Sequence, residues 1–162
     1  MTDQIRKQIF LKASRERVWR AIGDAAEFGK WFGIRFDAPF VQGGRLTGRI
    51  VPTIADPEVA RLQKPHEGKK CDITIERIQP LHVLSFRWHP YDIDPNVDHS
   101  TEPTTLVEFV LEDKPGGTLL TITESGFESI PIERRAQAFK ANAGGWEHQT
   151  KLIQKYLQMM AA

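Results

Sequence analysis

A single cysteine occurs among the 162 residues, so Cys71 has no partner for an internal disulfide. No run of about 18 apolar residues exists either, and no helix of this chain can satisfy its backbone while crossing a bilayer. Neither sign of charge dominates. Lys and Arg number 22 against 21 Asp and Glu, for a formal net charge of +1. That balance leaves no electrostatic footprint for nucleic acid or an anionic membrane surface. The start, Met1-Thr2-Asp3-Gln4, lacks the basic and apolar regions of a signal peptide, and a cytoplasmic location is expected. Internal repeats and low-complexity stretches are also missing. What is present is ordinary globular usage, with 40% hydrophobic and 27% charged residues. The length suits one domain over 1–162, large enough to bury a real core.

Along the chain, Ile5, Ile9 and Leu11 share one parity within Ile5–Lys12, the mark of a strand with one buried face. Ser14 is placed to cap a short helix that carries Val18, Trp19 and Ile22 at helical spacing. After Gly23-Asp24, residues Glu27–Phe32 predict a second short helix, released at Gly33. Strand character recurs over Phe36–Val41, Leu46–Val51, Cys71–Ile78, Val83–Trp88, Leu106–Leu111 and Thr118–Thr123, with turn residues such as Gly43-Gly44 and Pro115-Gly116-Gly117 between them. Ile73 and Ile75, then Leu84, Phe86 and Trp88, then Val107, Phe109 and Leu111 each keep one parity, so each set occupies one face. Ile130–Met160 predicts a long helix opened by Pro131, with Phe139, Trp146 and Ile153 repeating every seven residues. The polar stretches Pro52–Lys70 and His89–Thr105 are expected as loops at a cavity mouth.

One strand, two short helices, a meander of antiparallel strands and a long C-terminal helix must bury the apolar sheet face against that helix. The predicted class is therefore α+β, a curved antiparallel sheet wrapped around the C-terminal helix. Such a layout leaves an internal cavity unless its side chains are large, and makes ligand binding the natural function class.

Six segments carry a family likeness when taken in order: Ser14-Arg15-Glu16-Arg17-Val18-Trp19, Trp31-Phe32, Gly43-Gly44, Leu84-Ser85-Phe86-Arg87-Trp88, Glu124-Ser125-Gly126-Phe127 and Gly144-Gly145-Trp146. Together they resemble the activator of Hsp90 ATPase homology domain, within the START and Bet v 1-like helix-grip (SRPBCC) superfamily. The resemblance implies the helix-grip fold and a hydrophobic cavity between sheet and long helix, and implies no single chemistry. Co-chaperones of that family carry a separate N-terminal domain, for which this chain has no room before its first strand; contact with a chaperone is correspondingly a secondary expectation.

Candidate pocket residues are Trp31, Phe36, Trp88, Phe109, Phe139 and Trp146, whose rings offer contact area and stacking geometry to an apolar or aromatic molecule. Each has the alternative role of filling the core, which is the reading for Trp19. Polar groups expected to enter such a pocket from strand ends are His89, Tyr91, Arg87 and Glu124. They form no recognisable catalytic dyad, and no catalytic residue is assigned. His89 to His99 alternates oxygen-bearing residues like the opening of a calcium loop, but Val97 stands where the turn needs Gly and Pro103 where the bidentate Glu belongs. His89 and His99 lack the further ligands that zinc needs, so no metal is expected. Cys71 is expected to be buried and inert. Ser125 lacks the Gly-x-Ser-x-Gly elbow of a nucleophile, and the glycine pairs lack the Lys of a phosphate loop. The expected partner is a hydrophobic small molecule, with no cofactor, an Hsp90-associated module or a cyclase- or hydrolase-type enzyme as the competing functions, and a homodimer compatible with an open sheet edge.

Overall fold

The computed structural model describes residues 4–90 and 102–161. The first strand, β1 (Ile5–Leu11), leads into α1 (Arg15–Gly23), whose free first-turn amide of Arg17 is accepted by the Ser14 hydroxyl at 3.1 Å. Asp24 caps α2 (Ala25–Phe32) in the same way, taking the Glu27 amide at 3.0 Å. Gly33 ends α2 with φ at 94°, a left-handed conformation that glycine adopts without strain. The chain then runs through β2 (Ile34–Phe36), β3 (Arg45–Ile50), α3 (Pro57–Gln63), β4 (Lys70–Gln79), β5 (Val83–Trp88), β6 (Thr105–Lys114), β7 (Gly117–Ser125) and α4 (Ile132–Ala161).

The strands form one antiparallel sheet in the order β1-β7-β6-β5-β4-β3-β2, with the first strand beside the last. Register fixes which residues share the inner face. Trp88 lies opposite Thr105, and Val107 opposite Glu124. Thr105, Val107, Phe109 and Leu111 of β6 are buried in alternation, as are Thr118, Leu120, Ile122 and Glu124 of β7. Against that face α4 lays Trp146, Thr150, Ile153 and Leu157, and the fold is the helix grip.

Two sequence expectations are corrected. Of the expected strand Phe36–Val41 only Phe36 is in a strand, as the last residue of β2, because Asp37 turns back to accept from the Thr47 amide and Pro39 has no N–H to give a ladder. The 52–70 stretch contains α3, capped by Asp56 with Pro57 in the first turn.

The space that the layout leaves is narrow because rings occupy it. Phe28 sits at the centre of a cluster, with ring centroids 4.9 Å from Trp31, 5.0 Å from Phe32, 5.9 Å from Phe109 and 6.4 Å from Phe86. Each such side chain stabilises the fold by about 1.5–3 kcal/mol through burial alone. Among the described residues, no helix is long and apolar enough to cross a membrane.

Candidate functional site

At one end of the inner face the apolar cluster gives way to a buried carboxylate. Glu124 has the parity of Leu120 and Ile122, so β7 directs it inward, and it is 0% exposed. Four side chains from three elements converge on it. The Trp88 indole N–H and the Thr105 hydroxyl donate to Oε2 at 2.8 and 2.6 Å, and the Trp146 indole N–H donates to Oε1 at 2.8 Å. The Asn142 amide nitrogen is 3.0 Å from each oxygen. Every one of these groups is a donor toward the carboxylate, an arrangement suited to its acceptor-only, ionised form. Among the described residues no Lys, Arg or His pairs with it. Its oxygens are taken up by these bonds, so the carboxylate positions its neighbours and is not poised to remove a proton from a substrate.

The consequence is a fixed pair of tryptophans. Trp88 from the sheet and Trp146 from the helix are tied through their N–H groups to one anchor and stack at 5.6 Å with planes 28° apart. Phe32 closes the third side, 6.2 Å from Trp88 and 6.0 Å from Trp146. Between these rings and the helix lies a cavity of about 90 Å³, lined chiefly by Phe32, Trp88, Asn142, Gly145, Trp146 and Gln149. Gln149 donates to the Phe32 carbonyl at 3.2 Å, as does Gln63 from α3. That carbonyl fixes the orientation of the Gln149 amide, since the reverse would set two oxygens together. Gln149 Oε1 is left buried without a hydrogen-bond partner.

The residues expected in the pocket are distributed more widely. Trp88 and Trp146 line the cavity. Phe109 packs edge-on to Trp146 behind it, and Trp31 is fully buried with its N–H bonded to the Ala21 carbonyl at 2.8 Å. Phe139 packs against Phe127, and Phe36 lines an open groove of about 880 Å³ on the outer side of α2. His89 bonds the Glu102 carbonyl, and Arg87 pairs with Glu76 at 2.7 Å on the solvent side. Tyr91 and the stretch to His99 lie outside the described residues. Phe32, Asn142 and Gln149 are cavity residues that sequence reasoning passed over. Asn142 and Gln149 are seven residues apart and flank Trp146 at helical spacing, so a polar residue recurring on an apolar stripe was the available signal.

Two other polar clusters hold the elements together. Glu27 accepts from the Tyr156 hydroxyl at 2.7 Å and pairs with Arg17 at 2.9 Å, joining α1, α2 and α4. Burial, aided by the bond to Glu27, raises the Tyr156 hydroxyl above its ordinary value. The Lys155 ammonium bonds Asp56 and, with the Val59 and Glu58 amides, holds that carboxyl below its usual range. Cys71 is half-buried, not enclosed as expected, and desolvation pushes its thiol up to about 11, which leaves it a poor nucleophile at neutral pH. Among the described residues, no three His, Cys, Asp or Glu side chains gather as a metal site.

Comparison with known proteins agrees with this architecture. DynU16, a protein in the dynemicin biosynthetic locus, has a solved structure that matches at 22% identity and TM-score 0.68 over 98% of this chain and 48% of its own. This chain thus spans about half of DynU16. MLL2253 from Mesorhizobium loti matches at 20% identity and TM-score 0.70, covering 96% of this chain and 97% of its own. Ms6760 from Mycobacterium smegmatis matches at 18% identity and TM-score 0.67, over 98% and 93%. At these identities the likeness is one of fold. No curated protein matches the sequence. The family model described as activator of Hsp90 ATPase homolog 1-like protein matches residues 12–158, which take in the anchored carboxylate, both tryptophans and the helix that covers them, and the chain belongs to that family.

Proposed function

We propose that this protein binds a hydrophobic or aromatic small molecule between the sheet and α4, with the inner end of the ligand against Trp88 and Trp146. The observation that carries the reading is the stacked tryptophan pair, anchored by a shared carboxylate beside a small cavity. Rings fixed before the ligand arrives lose little freedom on binding, which favours affinity. At about 90 Å³ the cavity admits part of a ligand, whereas pockets that enclose a drug-sized ligand measure roughly 300–1,000 Å³. Binding therefore requires the covering half of α4 to move, and Gly144-Gly145 supplies a place for it to bend. A methyl added at either glycine would meet nothing within 4 Å, so packing gives no reason for their small size.

A relative encoded in the dynemicin biosynthetic locus supports a small-molecule role over a purely structural one. A stress or resistance role belongs to this same reading: sequestration of a harmful apolar compound needs affinity without turnover. The test is native mass spectrometry of the protein purified from its host, followed by extraction and identification of bound compounds. A stoichiometric apolar ligand, lost on Trp146→Ala in a folded variant, is the expected result. An empty protein that also captures nothing from a hydrophobic library would overturn it. The family description raises a second reading, a contact with an Hsp90-type chaperone, for which co-purification with a bacterial Hsp90 in the absence of ligand is the discriminating result.

A further inference from the structure

Resting on that reading, we infer that the molecule held against Trp88 and Trp146 is an organic cation, a tertiary ammonium carried on an apolar or aromatic body. The first ground is electrostatic. Glu124 is a fully buried carboxylate to which only dipoles are bonded, and buried charges are ordinarily matched by an opposite charge. Three of its four donors, Trp88, Asn142 and Trp146, also line the cavity, so the charge stands directly behind the cavity wall. No residue lining the cavity is itself ionisable. An anionic ligand would meet this carboxylate and no cation, and a neutral one would leave its charge unmatched.

The second ground is the rings. An indole whose N–H donates to a carboxylate gains electron density, which strengthens the attraction of its face for a cation. Two such indoles and the Phe32 ring bound the cavity on three sides. The third ground is the count of hydrogen bonds. Gln149 belongs to the cavity wall, and its Oε1 is covered and unpartnered until the α4 movement that binding requires uncovers it. One free acceptor suits one donor. A protonated tertiary amine has a single N–H and three carbon substituents, so it satisfies that oxygen while its alkyl groups meet the aromatic faces. A primary ammonium would bury two further N–H groups without acceptors.

The experiment uses the whole ¹⁵N-labelled protein and follows the indole N–H signals of Trp88 and Trp146. The probes are N,N-dimethylbenzylamine, cationic at neutral pH, and isobutylbenzene, its neutral isostere. The expected result is that the cation shifts both signals and binds about tenfold more tightly than the hydrocarbon, a preference that falls toward unity in Glu124→Gln. Should that variant fail to fold, Gln149→Leu serves: it is expected to lower the preference for the amine over the hydrocarbon about fivefold. Equal or tighter binding of isobutylbenzene would overturn the cation inference and leave the apolar-ligand reading standing. If neither compound moves the two indole signals, both readings fall.

Discussion

Replacing Glu124 by Gln isolates the contribution of one charge, because size and shape are kept. Four donors converge on its two oxygens, two indoles, one hydroxyl and one amide. In Gln one oxygen becomes an NH₂ group, and whichever way it turns it faces an indole N–H. A buried donor left unsatisfied costs about 1–3 kcal/mol, and making the surviving bonds neutral removes about 1 kcal/mol more. Relief from burying a charge offsets part of this. The expected net loss is about 1–3 kcal/mol, which for a chain of this length lowers Tm by roughly 2–12 °C. Glu124→Leu, which orphans all the donors, should lose more. Urea and thermal melts followed by circular dichroism and tryptophan emission measure both. A Gln variant as stable as the parent would refute the reasoning, since the carboxylate would then be a tolerated burden and not the anchor of the site.

Gly144→Ala and Gly145→Ala should each stabilise the protein by about 0.5–1 kcal/mol, because the added methyl meets nothing and the unfolded chain loses freedom; thermal melts decide. If α4 bends there for entry, the double variant should also bind ligand more slowly in stopped-flow fluorescence. Gly29→Ala has the opposite sign: its Cβ would come 2.0 Å from the Ile34 carbonyl oxygen, and a loss above about 2 kcal/mol should appear in urea melts. Alkaline stability follows from Cys71, whose folded thiol is raised by burial from 9.0 to about 11. The raised value favours the protonated thiol in the folded state, so its contribution is complete below about pH 9 and lost as pH climbs toward 11. Tyr156, raised by burial and by Glu27, has the same sign. Urea midpoints should therefore fall on the alkaline side, less steeply in Cys71→Ser, and iodoacetamide should label native Cys71 slowly at pH 8.

The fold was legible where periodicity was strong. Period-two alternation in β4, β5 and β6 identified the inner face, and the seven-residue repeat of Phe139, Trp146 and Ile153 identified the stripe of α4. Short elements were harder. Pro39 and Asp37 end β2 at three residues, and α3 buries no residue fully, with Val59 alone packed on the core, so it shows no apolar stripe to read. Individual pocket residues were less legible still. Whether an aromatic residue fills a core or lines a space depends on packing across elements, as the different places of Trp31 and Trp146 illustrate. Glu124 was recognisable as a polar group at a strand end, but its four donors come from β5, β6 and α4, and only the register of the sheet and the docking of the helix bring them together.

Strand order has a consequence for how the molecule is made. β1 is synthesised before β7, yet β7 is its only sheet partner among the described residues, with Ile5 opposite Glu124. The ribosome must complete almost the whole sheet before that edge can pair, and such distant pairing slows folding. Even then the sheet's own donors, Trp88 and Thr105, both reach Glu124 Oε2, and an arbitrary apolar surface would cover Oε1 without a partner. A helix that presents Asn142 and Trp146 at the correct spacing supplies one. A helix docked out of that register would leave Glu124 Oε1 buried without its Trp146 and Asn142 donors, at a cost of about 1–3 kcal/mol or more.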